Sequence, residues 1–215
     1  MNILRVKNLN PFFLSNTTNS SVFEIWNNDV SFRKGEKYLI SASSGRGKSS
    51  FLSFVFGERN DFSGDIYFDN QEIKTLRKEE WQNIRKKSLS CVFQGLRLFS
   101  DLTALENIRL KNKLTGYKTA EEIDYLIEKA ELQDKRNEKA GRLSFGQQQR
   151  IATIRALCQP FDFILLDEPF SHLDEKNIEV MTGLINSEIE TQNAGMFLCS
   201  LGYAYPFKYH KKYEI

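Results

Sequence analysis

Short apolar runs separated by longer amphipathic stretches set the rhythm of this chain. In the first third, "ILRV" (3–6), "VFEIW" (22–26), "KYLIS" (37–41) and "GDIYFDN" (64–70) predict strands. Asn and Ser crowd positions 15–21 and predict a turn or loop there. The middle reads as helix. Thr103 with Glu106, and Thr119 with Glu122, each make the Thr-x-x-Glu capping pattern. After the second pair, Ile123, Leu126, Ile127 and Ala130 recur at helical spacing and form one apolar face turned to a core. The last third alternates again: helix in "QQQRIATIRALC", strand in "FDFILLD", helix in "DEKNIEVMTGLINSEIE", strand in "GMFLCS". Strands alternating with helices predict an α/β fold built on a largely parallel sheet. No repeat or low-complexity block interrupts the pattern, so one domain is expected over 1–215.

Composition narrows the function. Lys and Arg number 30 against 28 acidic residues, a balance unlike that of a dedicated nucleic-acid binder, so no direct nucleic-acid partner is expected. The basic clusters "RKKS" (85–88) and "HKK" (210–212) read as solvated faces. No apolar run approaches the roughly 20 residues of a membrane span. The start "MNILRVKNLN" lacks a basic segment followed by an apolar block. A soluble or peripheral protein is expected. Cys91, Cys158 and Cys199 lie far apart, which predicts reduced thiols rather than a metal or disulfide framework.

The chemistry begins at "SASSGRGKSS" (41–50), between a predicted strand and a predicted helix. Gly47, Lys48 and Ser49 match the end of the phosphate-loop pattern G-x-x-x-x-G-K-[ST], and Ala42 occupies the first glycine position. Successive amides through Ser43, Ser44, Gly45, Arg46 and Gly47, then the helix start at Lys48, Ser49 and Ser50, suit an anionic phosphate. Lys48 is expected on the β- and γ-phosphates of ATP and the Ser49 hydroxyl on Mg²⁺. A Cβ at position 42 costs at most about 1–2 kcal/mol if that residue must be left-handed, and is expected to be tolerated.

Downstream, "GRLSFGQQQRIATIRALCQPFDFILLDEPFSHLD" (141–174) closely resembles the core of ATP-binding cassette (ABC) ATPases. "LSFGQ" (143–147) stands where the family has its LSGGQ signature, "FILLDEP" (163–169) resembles the Walker B strand, and "SHLD" (171–174) resembles the D-loop. "CVFQGLRLFSDLTALENI" (91–108) resembles the Q-loop and the start of a helical subdomain.

The resemblance implies a P-loop NTPase (RecA-like) core with an N-terminal antiparallel β subdomain and an inserted α-helical subdomain. The first two fall at about 1–94 and 150–215, the helical part at about 95–149. It also implies roles. Asp167 meets Mg²⁺ with Ser49, Glu168 polarises the attacking water, and Gln94 senses both. Ser144 and Gly146 reach the γ-phosphate held by a second cassette, with Gln147 and the D-loop Asp174 assigned to the nucleotide as well. An aromatic near the end of the first strand stacks on adenine; spacing favours Phe13, with Phe12 as the alternative. Phe145 replaces a signature glycine, either altering packing between cassettes or acting as a neutral variant.

One position departs further. The family's γ-phosphate-contacting histidine falls at residue 201, which is Leu201. Losing one transition-state donor typically costs about 2.7–4 kcal/mol, and neither Ser200 nor His172 is expected to replace it.

The family implication is an ATP-hydrolysing subunit that dimerises on ATP and drives a membrane permease from the cytoplasmic face. It most resembles the lipoprotein-release, macrolide-export and cell-division group. The alternative is a degenerate cassette that binds ATP, hydrolyses it slowly and acts as a regulatory clamp or beside an active partner. A soluble ABC protein acting on ribosomes or DNA needs two cassettes or a long inserted coiled coil, and the sequence shows neither.

Overall fold

A computed structural model describes residues 1–14, 24–41 and 47–215. The predicted loop at 15–21 therefore lies outside the described residues. Two sheets organise the fold. The first is antiparallel and joins β1 (Ile3–Pro11), β2 (Val30–Arg33), β4 (Phe62–Phe68) and β5 (Gln71–Glu72) in the order β2-β1-β4-β5. The second joins β3 (Lys37–Ser41), β6 (Leu89–Val92), β7 (Phe163–Asp167), β8 (Gly195–Ser200) and β9 (Lys211–Glu214) in the order β6-β7-β8-β3-β9, with every pair parallel. The described helices are α1 (Lys48–Val55), α2 (Lys78–Lys87), α3 (Ala104–Asn112), α4 (Ala120–Lys129), α5 (Phe145–Leu157) and α6 (Glu175–Gln192). The fold is thus α/β, with a parallel core and a separate antiparallel sheet.

The parallel sheet is covered on both faces, which explains why its strands β7 and β8 are buried at every position instead of alternating. All five residues of β7 are buried. Their side chains still alternate between two cores: Phe163 and Leu165 join one cluster with Phe32, Phe51 and Phe197, while Ile164 and Leu166 join the other with Ile108, Ile151 and Ile185. The first cluster is rich in aromatic edge-to-face contacts, such as Phe32 with Phe197 at 4.7 Å between ring centres. The second extends through α3, α4 and α5, so the helical segment is continuous with the sheet it sits on.

Both predicted capping boxes form, at Thr103–Glu106 and Thr119–Glu122, and Ile123, Leu126, Ile127 and Ala130 are buried as the helical spacing predicts.

One expected strand is not found over the residues described, Val22 and Phe23 lying outside them. Within "VFEIW", residues 24–26 make bends and a turn, and the strand begins later, at Val30. Ile25 and Trp26 are adjacent and both buried, where a strand would have turned them to opposite faces. Asn27 then takes φ 58°, which ends any extended run.

Candidate functional site

Several strands of the parallel sheet end at one place. β3 leads into residues 42–46 and then α1, β7 ends on Asp167, β8 ends on Ser200, and Gln94 follows β6. The carboxyl ends of parallel strands are where α/β sheets bind ligands. Ser43, Ser44, Gly45 and Arg46, with Ala42, lie outside the described residues.

Gly47 is the N-cap of α1 at φ 103°, and a Cβ there would sit 3.1 Å from the Trp26 ring and 3.2 Å from the Phe13 ring. Glycine is therefore required twice over, by backbone conformation and by space. Lys48 is buried at the helix start. The Ser49 hydroxyl and the Gln94 backbone N–H lie beside the Asp167 carboxylate. The Gln94 residue itself is exposed.

Burial pushes the Asp167 carboxyl above its ordinary range, opposed by the Ser49 hydrogen bond, the charge of Lys48 and the Gln94 amide. Burial likewise pushes Glu168 up, opposed by Lys48 and the Leu201 backbone N–H, while Asp167 adds to the rise. Asp167 Oδ1 and Glu168 Oε1 are buried with no hydrogen-bond partner among the described residues. Buried carboxylate oxygens normally have partners. Two desolvated oxygens beside a lysine and a serine hydroxyl suit a hard divalent cation and the polyphosphate it accompanies.

Glu168 has a left-handed backbone, φ 48°, and its N–H donates to the Cys199 carbonyl at 3.1 Å. Strained backbone of this kind persists where surrounding contacts over-determine it. Leu201 is 61% exposed, so its side chain packs on nothing that fixes it. The buried Ser200 hydroxyl donates to the Tyr203 carbonyl at 2.6 Å. His172 Nδ1 lies 2.9 Å from the Ser171 hydroxyl.

The adenine candidates occupy a 3-10 turn, Phe12–Leu14, directly after β1. Phe12 and Phe13 are both exposed. Phe13 reaches toward Gly47, and the Arg59 guanidinium lies 5.9 Å from its ring centre. Arg59 also donates to the Ser50 hydroxyl at 2.8 Å. The Ser50 side chain therefore faces the Arg59–Phe13 edge of the site.

The signature segment opens α5. Ser144 is its N-cap: the Ser144 hydroxyl accepts from the Gln147 N–H at 3.3 Å and the Gln147 side chain accepts from the Ser144 N–H at 3.0 Å. This box was not anticipated, although Ser-x-x-Gln is the same pattern as the two Thr-x-x-Glu boxes. A Cβ on Gly146 would fall 2.8 Å from the His172 carbonyl, so the D-loop packs directly on the signature of its own chain. Phe145 lies edge-on to His172, 4.4 Å between ring centres, and stays exposed. Asp174 caps α6 through the Asn177 N–H, and that hydrogen bond holds its carboxyl below the ordinary range.

A glycine-lysine-serine helix start beside a strand ending in a buried aspartate, with a half-buried glutamate next along the chain, defines a P-loop nucleotide-binding protein. The sequence profile of the ABC transporter family matches residues 26–171, and the chain belongs to that family as an ATP-binding cassette. It is 31% identical over 200 residues to the "Lipoprotein-releasing system ATP-binding protein LolD" of Treponema denticola, covering 91% of this chain and 87% of that protein. It is 32% identical to the "Macrolide export ATP-binding/permease protein MacB" of Mannheimia succiniciproducens, covering 83% of this chain but 28% of that longer protein. Among solved structures, a dimeric bacterial ABC transporter cassette is 29% identical with a TM-score of 0.77, covering 92% of this chain and 88% of the other. A post-hydrolysis dimer of the same cassette, bound to ADP and Pi, matches with the same score.

Proposed function

We propose that this cassette hydrolyses ATP as one half of a two-cassette clamp. Mg²⁺-ATP is held between the phosphate loop of one copy and the Ser144–Gly146 segment of the other, and closure drives a membrane permease. One observation carries the reading: Asp167, buried, and Glu168, half-buried, each hold one buried oxygen without a partner among the described residues, beside Lys48 and Ser49 at the sheet's carboxyl end.

Ser49 and Asp167 would hold Mg²⁺, with Gln94 as a further ligand, and the ion would neutralise charge across the β- and γ-phosphates. Lys48 and the start of α1 take the phosphates, with Ser43, Ser44, Gly45, Arg46 and Gly47 supplying amides. Phe13 stacks on the adenine, and Ser50 supports that edge through Arg59. Water attacks the γ-phosphorus, Glu168 accepts its proton, and ADP leaves with inorganic phosphate. A desolvated carboxylate is a stronger base than one in water, which fits the upward push on Glu168.

The second cassette contributes the start of α5. The Ser144 hydroxyl accepts from Gln147 and so keeps its own proton to donate to a phosphate. The Gly146 amide and the helix N-terminus add to it. Gln147 and Asp174 act on the nucleotide indirectly, by shaping the segments they cap.

Pairing with a permease follows the naming of the lipoprotein-release and macrolide-export relatives. The helical segment at about 95–149 is the arm that carries the movement. No described helix is long and apolar enough to cross a membrane, which fits a peripheral subunit on the cytoplasmic face.

The test is hydrolysis by the Glu168→Gln protein. It keeps ATP affinity within about threefold while turnover falls about 10²–10⁴-fold. Wild-type turnover in that variant contradicts the role given to Glu168.

A further inference from the structure

Gln149 lies in the second turn of α5 and is 1% exposed. It is the third glutamine of a run, and it alone of the three is fully buried. Its side chain spans the gap to the segment that follows β7. The Nε2 group donates to the Glu168 carbonyl at 3.3 Å and to the Ser171 hydroxyl at 3.0 Å. The Oε1 atom accepts from the His172 N–H at 3.1 Å. The backbone carbonyl of Gln149 takes the Thr153 hydroxyl at 3.0 Å, which pins that turn of the helix.

We infer that Gln149 is a positioning residue for hydrolysis: it ties the backbone of Glu168 to the helix whose first turn grips a neighbouring cassette's nucleotide. The inference rests on the two-cassette reading above.

Three features support it. First, the bonds go to Glu168 itself and to the loop immediately after it. Glu168 holds a left-handed backbone that needs fixing from several sides. Its N–H is tied to the Cys199 carbonyl, and Gln149 supplies the anchor on the remaining backbone atom, the carbonyl. Second, the tie runs to a helix start that is already locked to the same loop, through Gly146 beneath the His172 carbonyl and Phe145 against the His172 ring. The signature and the D-loop thus form one packed unit, and Gln149 joins the base to it. Third, the job needs an amide. Glutamate lacks the donor when ionised, methionine lacks both groups, and asparagine is one methylene short.

Docking of Ser144–Gly146 on one nucleotide therefore bears, through Gln149, on how Glu168 meets the other. A glutamine buried only for packing would affect folding alone.

The experiment measures single-turnover hydrolysis and ATP binding by the full chain with Mg²⁺-ATP, for wild type, Gln149→Met, Glu168→Gln and the double variant. Gln149→Met keeps side-chain length and removes all three side-chain hydrogen bonds. The inference expects the hydrolysis rate to fall about 10–100-fold with ATP affinity changed less than about threefold, and the double variant to be no slower than Glu168→Gln, because residues acting as a unit are not additive. Hydrolysis by Gln149→Met within threefold of wild type overturns the inference. So does a parallel loss of ATP affinity, or an added loss in the double variant. If Gln149→Met does not fold, exposed Ser171→Ala removes one arm of the same network and is read by the same criteria, with a smaller loss of about 3–10-fold. Slow Glu168→Gln with unimpaired Gln149→Met overturns this inference alone. A Glu168→Gln protein as fast as wild type overturns the reading of Glu168 and this inference together.

Discussion

Leu201 places an aliphatic side chain at the edge of the site. Its backbone N–H lies toward the Glu168 carboxylate, yet its exposed side chain offers no donor at the position where the family resemblance leads one to expect histidine. Nearby groups are already engaged: Ser200 with the Tyr203 carbonyl and His172 with Ser171. The exposed position tolerates a new side chain without repacking. Leu201→His is therefore expected to raise the hydrolysis rate, by up to about 10²-fold if a full transition-state donor is restored, with thermal stability unchanged. A rate equal to wild type would show that hydrolysis here does not await that donor. At this scale the sequence was legible where chemistry writes a motif: the structure sets Ser49 beside Asp167, with Glu168 next along the chain. Gln149 was not legible. In "QQQ" (147–149) the three side chains leave the helix about 100° apart and do three jobs. Gln147 caps, Gln148 donates to the Leu143 carbonyl at 2.9 Å, and Gln149 turns inward. Only the packed structure separates them.

Elements were readable where their signals are local. Two Thr-x-x-Glu boxes and an apolar stripe fixed α3 and α4, because caps and helical spacing act within a few residues. β9 escaped notice because only Tyr213 of its four residues is buried, and its place at the sheet edge comes from pairing with β3, a partner far away in sequence. "VFEIW" misled because a run of apolar residues does not distinguish a strand from a packed turn. α2 begins at an arginine N-cap, outside the usual Ser, Thr, Asp and Asn. Two glycines give a test at this scale. Gly64 lies in β4 at φ 79°, and a Cβ there would be 2.2 Å from the Asn8 carbonyl oxygen, at the bulge where the β1–β4 register shifts. Gly183 lies inside α6 with nothing near its would-be Cβ and no positive φ. Gly64→Ala is expected to destabilise the fold by more than about 1 kcal/mol, and Gly183→Ala to stabilise it by about 0.5–1 kcal/mol. Thermal denaturation of both variants decides this; equal melting temperatures would contradict it.

At the scale of the whole molecule, one sheet carries two cores and one site. Its faces bury separate clusters, so the antiparallel sheet with α1 packs on one side and the helical segment on the other. Its carboxyl end gathers the phosphate-binding helix start, the Asp167 and Glu168 carboxylates and the bend at Leu201. Ser144 and Phe145 stay exposed at the start of α5, although Ser144 caps the helix and Phe145 packs edge-on to His172, so both face outward where a second copy would meet them. The α/β class and the parallel sheet were visible in the alternation of runs. The closeness of signature to D-loop was not, since it depends on a glycine meeting a carbonyl contributed from 26 residues further along. Everything in the proposed mechanism turns on nucleotide being shared between two copies. Sedimentation of the Glu168→Gln protein with and without Mg²⁺-ATP reads this out. A monomer is expected without nucleotide and, with Mg²⁺-ATP, a dimer holding two nucleotides that Ser144→Arg abolishes. A Glu168→Gln protein that binds ATP and remains monomeric, or whose dimer is indifferent to Ser144→Arg, would contradict it.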